Sequence, residues 1–251
     1  MLAPMQDRYA FDLGDFSKFG LLRALRGVGR IGVLWYLNPH LGVRERANGD
    51  GRHLQHLDPA RGDEFRVCDR DLHGGMVAGY SAAKRSVAFL AAASGLGSGT
   101  FVAEKLPARG QVAERATWFA AALQACAGCE LVCCDPDNGI ARPGTVNERR
   151  ASPKHILLAE VEVLVRHGHS LVLYHHFARR PHDLQAVELH ALLSDRCGLP
   201  VTILRWNTVS PRAYAVIAQP RHQAALAAGI GQLLAGEWGT RGHFRRMSVT
   251  V

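Results

Sequence analysis

Glu130-Leu131-Val132-Cys133-Cys134-Asp135-Pro136-Asp137-Asn138-Gly139 is an apolar run that stops at an acidic turn containing proline and glycine. An apolar run of strand length bounded by turn formers reads as a buried strand. In an open α/β sheet, ligands bind in the crevice beyond the carboxyl ends of the strands. Asp135 and Asp137 are therefore expected at the mouth of such a crevice. A second segment repeats the layout, as Ser170-Leu171-Val172-Leu173-Tyr174 runs into His175-His176-Phe177 and then Arg179-Arg180. Two strands that each end in polar groups predict one shared site.

The flanking sequence alternates helices with strands. Apolar spacing predicts helices over 15–26, 69–80, 85–93, 115–126, 153–167, 184–196 and 222–235. Strands are expected at 31–37, 100–106, 200–205 and 214–218, besides the two above. This order implies a single α/β domain over 1–251, Rossmann-like, with a mainly parallel sheet and helices on both faces. The last two strands have no helix between them, which predicts an antiparallel edge strand. A polar stretch over 38–63 is long for a loop in a compact domain and opens a loop and helical insertion at about 38–98.

The chain has 251 residues, a hydrophobic fraction of 47%, a charged fraction of 21% and a formal charge of +8. Such a composition belongs to a globular protein able to bury a sizeable core, not to a disordered chain. The basic surface favours polyanions, nucleic acid among them, through Coulomb steering and counterion release. No apolar run reaches the ~18 residues of a membrane span. The first residues lack a basic-then-apolar leader, so no membrane partner and a cytoplasmic location are expected. Cys126-Ala-Gly-Cys129 is a CxxC followed by Cys133-Cys134. A second ligand pair at zinc spacing is missing, and Cys133 and Cys134 should point to opposite faces of their strand. The cysteines read as small buried hydrophobes.

Gly27-Val-Gly29-Arg-Ile-Gly32 matches GxGxxG literally, but its glycines leave a helix and enter a strand. The dinucleotide fingerprint needs the reverse order, so the match reads as a helix terminus and turn. Asp135-Pro136-Asp137-Asn138 supports three readings. Asp135 and the Pro136 carbonyl can accept hydrogen bonds from an amino group on a substrate base. Asp135 and Asp137 can ligate a divalent cation. The turn can simply close a strand. Of His175 and His176, one should face the crevice. Arg179 and Arg180 can hold a phosphate bidentately, and His40, His53 and His56 lie on or beside the long loop.

The order of these segments resembles a family of large-subunit ribosomal RNA N6-adenine methyltransferases of the class I S-adenosylmethionine-dependent fold. Tyr9-Ala-Phe-Asp-Leu-Gly14-Asp15-Phe-Ser-Lys18 is similar to the family's cofactor-holding segment before its first helix. Tyr36-Leu-Asn38-Pro-His40-Leu-Gly42 is similar in place to the turn after its first strand. Glu104 stands where an acidic residue would meet the cofactor ribose. Asp135-Pro136 matches the start of the family's catalytic Asp-Pro-Pro-Tyr, while Asp137 and Asn138 replace its second proline and tyrosine. The resemblance implies S-adenosylmethionine as cofactor, with Asp15, Lys18, His40 and Glu104 around it. It puts Asp135 at the chemistry; the two polar strand ends add Asp137, Asn138, His175 and His176 there, with Tyr174 or Phe177 in place of the missing stacking aromatic and Arg179 and Arg180 on a nucleic-acid substrate.

The leading expectation is thus a methyltransferase that modifies DNA or RNA, with Arg245 and Arg246 adding phosphate contacts. A second is a hydrolase or transferase of phosphate-containing substrates that uses Mg2+ or Mn2+ on Asp135, Asp137 and one of His175 or His176. A third is a non-catalytic nucleic-acid-binding module on the same fold.

Overall fold

A computed structural model describes residues 9–38, 53–80, 85–208 and 211–249. His40 and most of the first half of the 38–63 stretch lie outside the described residues. Seven strands form one sheet: β1 (Ile31–Trp35), β2 (Thr100–Val102), β3 (Leu131–Asp135), β4 (Ser170–His176), β5 (Val201–Trp206), β6 (Arg212–Ile217) and β7 (Phe244–Arg246). Their order across the sheet is β2-β1-β3-β4-β6-β5-β7. The first four positions pair in parallel, with Trp35 level with Asp135 and Cys134 level with Leu173.

The expected antiparallel pair sits differently from the sequence reading. Strand β6 is not at the edge: it lies between β4 and β5 and is antiparallel to both. The long helix α8 (His182–Cys197) carries the chain past one strand position before β5 begins, and the hairpin return fills that gap. The antiparallel edge is β7, paired on β5. Its Arg245 and Arg246 are exposed, and charge on a short edge strand discourages pairing with other chains.

Two apolar layers cover the sheet. On one face Val33, Cys133, Val172 and Val216 pack against α1 (Leu13–Ala24) and α9 (Gln223–Ala235), with α10 (Glu237–Thr240) adding Trp238. The segment between β1 and β2 contributes to this same core. Its helices α2 (Asp63–Arg66), α3 (Arg70–Gly79) and α4 (Val87–Ala93) bury Phe65, Leu72, Met76 and Leu90 there. On the other face Leu34, Val132, Cys134 and Leu173 meet α5 (Val112–Ala125), α7 (Leu158–Arg166) and α8. Cys133 and Cys134 thus face opposite layers, as strand pleating requires. All six cysteines are free. After β3 the chain passes through the four-residue α6 (Val146–Arg149).

Helix α7 is shorter than the 153–167 predicted from periodicity. The carbonyls of Ser152 and His155 accept hydrogen bonds from the Arg115 guanidinium, at 3.0 and 2.7 Å. Ala151 has φ +44°, a left-handed conformation that ends a helical path. Residues 151–157 are therefore a turn clamped from α5, and the helix starts only where Glu160 caps the Leu157 N–H at 3.0 Å.

Candidate functional site

A cavity of about 390 Å³ opens at the carboxyl ends of β1, β3 and β4. Its floor comes from the start of α1. Asp12 is the N-cap, accepting the Asp15 N–H at 3.0 Å, so one orphan donor of the helix is satisfied. Gly14 lets these side chains close over the helix start: a Cβ there would lie 2.0 Å from the Arg212 guanidinium and 2.9 Å from the Asp12 carboxylate, so a larger residue would displace both. One turn on, the Lys18 Nζ donates to Asp15 at 2.8 Å and to Asp135 at 2.5 Å. Lys18 therefore bridges α1 to the tip of β3.

Burial of these charges sets their titration. Burial works against the Lys18 ammonium, but Asp135 and then Asp15 outweigh it and hold its pKa well above the ordinary lysine value. Burial raises the Asp135 carboxyl above the usual carboxylate range, Lys18 pulling the other way. Asp12 is pushed up to about 6, first by burial and then by the neighbouring Asp15 charge, with Arg212 opposing. Four carboxylates (Asp12, Asp15, Asp135, Asp137) and three basic side chains (Lys18, Lys154, Arg212) line the cavity. With all of them ionised the wall carries one net negative charge.

The β4 tip enters the same space. Tyr174 and His176 line the cavity beside Asp135, Pro136, Asp137 and Asn138. Pairing between β4 and β6 brings His176 level with Arg212 and Tyr174 level with Tyr214. Arg212 lies over the Tyr174 ring, 5.5 Å from its centroid, a cation–π arrangement. The Tyr214 hydroxyl meets Ser17 at 2.8 Å, which ties β6 to α1. Trp35, stacked on Phe101 at 5.6 Å, supplies a flat apolar wall from β1.

His175 takes the other direction. Its Nδ1 accepts the Ile140 N–H at 3.3 Å, behind the Asp135–Asn138 turn. Burial, then His176, His155, Arg142 and Arg180, push it down to about 4, so the ring is neutral at physiological pH. The turn packs so closely here that residue 139 is glycine of necessity: φ is +91°, and a Cβ would lie 2.3 Å from the His175 Nδ1. His175 braces the turn; His176 faces the cavity.

The remaining sequence candidates fall as follows. Asp15, Lys18, Asp137 and Asn138 line the cavity, and so does His53. His56 is fully buried against Phe16 and Phe65, and burial pushes it down to about 3. Glu104 is exposed outside the cavity, its carbonyl taken by Trp118 Nε1 at 3.1 Å. Arg180 forks onto Glu188 of α8, and Arg179 is exposed on the same turn. Arg245 reaches Asp183 at 3.2 Å. Among the described residues no group of three or more His, Cys, Asp or Glu side chains is arranged to hold a metal ion, and the Asp15 and Asp135 carboxylates meet on an ammonium.

Asp12, Trp35, Lys154 and Arg212 are site residues that sequence reasoning passed over. Asp12 carried a signal, since an aspartate two residues before a helix-bound Gly-Asp is a capping candidate. Arg212 carried none, because its place depends on the register of β6 against β4. No protein-family model matches the chain, and neither a curated protein nor a solved structure matches it.

Proposed function

We propose that this protein is an S-adenosylmethionine-dependent methyltransferase acting on an amino group of a nucleic-acid base. The observation that carries the reading is the convergence of two strand tips, Asp135–Asn138 and Tyr174–His176, in one cavity. The chemistry of the donor set fits the cofactor. Its cationic and hydroxyl groups suit the carboxylates of Asp12, Asp15 and Asp137, its carboxylate suits Lys18 and Arg212, and its flat base suits Trp35. A volume of about 390 Å³ lies within the range of small-molecule sites. When bound, the cofactor supplies an electrophilic methyl group.

The chain's own residues then position the acceptor. Asp135 and the Pro136 carbonyl accept hydrogen bonds from the acceptor amino group and aim its nitrogen. Fixing donor and acceptor in line provides much of the rate gain in a transfer of this kind. The nitrogen sheds a proton as it is alkylated, and the raised pKa of Asp135 makes its carboxylate a better proton acceptor than an exposed one. Lys18 holds that carboxylate in place. Arg212 covers one face of Tyr174 and fixes that ring beside the acceptor site.

Calorimetry with S-adenosylmethionine and S-adenosylhomocysteine tests the reading, together with transfer of a labelled methyl group to mixed RNA and DNA. Asp135→Asn is expected to keep cofactor binding and to lose turnover by about 100-fold or more. Absence of heat with both ligands at the highest soluble protein concentration would overturn the proposal.

A further inference from the structure

The segment that follows the Asp135 turn is basic and hydrogen-bonded to itself. Between Asn138 and Ile156 it carries Arg142, Arg149, Arg150 and Lys154 against a single acid, Glu148. Its two ends are laced together beside the site: the Asn138 N–H donates to the Lys154 carbonyl at 2.9 Å, Ile156 to Gly139 at 3.0 Å and Ala141 to Ile156 at 2.9 Å. Farther out, Ser152 bonds the Asn147 carbonyl at 2.8 Å, and Glu148 is occupied by the Gly144 N–H at 2.6 Å. Arg109 joins from the turn before α5, its guanidinium on the Asn147 side chain at 3.2 Å, and the Gly110 N–H bonds the Arg150 carbonyl at 2.8 Å. Arg109, Arg142, Arg149 and Arg150 are all exposed.

Of these five basic side chains only Lys154 lines the cavity. A small anion filling the cavity would meet one of them; an extended anion running outward would meet all. The positive field is also registered inside the protein. His155 is pushed down to about 4, first by burial and then by Arg115, Lys154 and Arg109. A laced loop of exposed cations that begins at a cavity lip suits a chain of phosphates, which arginine and lysine contact without regard to base sequence. The exposed large apolar side chains here, Val112 and Val146, offer too little surface to anchor in a lipid layer.

We propose that Arg109, Arg142, Arg149, Arg150 and Lys154 form the track for a polynucleotide backbone, which delivers one of its bases past Asn138 into the cavity. This rests on reading the cavity as a site of nucleic-acid modification. It assigns the polymer to the loop after β3, where Arg142 stands 4.0 Å from Glu188 at the edge of the pairing distance, and not to Arg180, which forks onto Glu188, or Arg245, which reaches Asp183 at 3.2 Å.

Fluorescence anisotropy with labelled single-stranded RNA and DNA, over a salt series and without cofactor, tests the track. Arg142→Gln combined with Arg150→Gln is expected to lower affinity about tenfold at low salt and to flatten the log–log salt slope by about 1.4. The control pair Arg26→Gln with Arg61→Gln, both exposed on other segments, should leave both quantities unchanged. Equal slopes for the two pairs would overturn the track, as would binding to anionic phospholipid vesicles in preference to either polynucleotide. Calorimetry with S-adenosylhomocysteine on the same variants separates the two readings. Cofactor heat without polynucleotide binding sinks the track alone. Polynucleotide binding that weakens in the Arg142 and Arg150 variant, without heat from S-adenosylhomocysteine or S-adenosylmethionine, supports the track and sinks the methyltransferase reading.

Discussion

The sheet carries a buried ion cluster on each face, and the two are built from the same kinds of groups. On the α5–α7 face Arg115 forks onto Glu160 at 2.7 and 2.9 Å, and its remaining donors reach the carbonyls of Ser152 and His155. Glu160 in turn accepts from the Leu157 N–H and the Tyr36 hydroxyl. Burial, then Glu160, holds the Tyr36 phenol well above its ordinary pKa, so it stays a neutral donor. On the α1 face Asp12, Asp15 and Asp135 share Lys18 and Arg212, and the cluster opens on the cavity. One cluster balances its charges and saturates its hydrogen bonds; the other leaves carboxylates in excess where a ligand can reach them. Saturation marks the first as a clamp, and imbalance marks the second as a site.

The comparison breaks first if the clamp proves dispensable. Arg115→Met strands a buried carboxylate and leaves the 151–157 turn carbonyls without their donor. Removing one partner of a buried pair costs about 3–5 kcal/mol. Urea unfolding at neutral pH should show a loss of that size. Arg115→Lys should recover little of it, since an ammonium cannot fork onto Glu160. A loss under about 1 kcal/mol would place Arg115 with ordinary surface arginines and erase the distinction.

The open cluster should respond in the opposite sense when a charge is removed. Asp12 titrates at about 6 in the folded protein against an ordinary value of 3.8. Between those values the folded state holds a proton that the unfolded state has released. Stability from this group is therefore full below 3.8 and is lost as pH rises through 6. Asp12→Asn keeps an N-cap oxygen, since asparagine caps as well as aspartate. It is expected to stabilise the protein by about 1–3 kcal/mol at pH 7. The gain should fade below pH 4 in unfolding curves measured across pH. Destabilisation at pH 7 would mean that the Arg212 pairing outweighs burial. The same variant should weaken cofactor binding, stability and function pulling apart as they do at strained sites.

How much of this was legible in the sequence depends on how far the chain had to travel to make each contact. Strands β1, β3 and β4 announce themselves as apolar runs ending in turn formers, and their parallel pairing places Asp135 and Tyr174 at one end of the sheet. The 135–138 turn was legible for the same reason. Arg212 was not: it enters the cavity through the β4–β6 register, set by a hairpin filling a gap no local pattern records. The start of α7 was not legible because apolar spacing carries no record of a contact made by a distant helix. Arg115, from another helix, took the carbonyls that continuation of that helix would have used. Glu104 and Arg180 had plausible residue types, but neither type nor spacing reveals that one points outward and the other has a partner on α8.

Arg180 and Glu188 supply the weakest and most discriminating test. The pair is a two-point fork like the clamp, with Nη1 2.7 Å from Oε1 and Nη2 on Oε2 where Arg115 uses Nε and Nη2. The difference is solvent: side-chain exposure is 35% and 55%, against 3% and 7% for Arg115 and Glu160. In water the Coulomb gain is offset by desolvation, ordering and salt screening. Arg180→Gln is therefore expected to leave the urea midpoint unchanged within error, at low and at high salt. If it instead lowered the midpoint as Arg115→Met does, fork geometry alone would carry the energy, and burial would no longer tell the clamp from the surface.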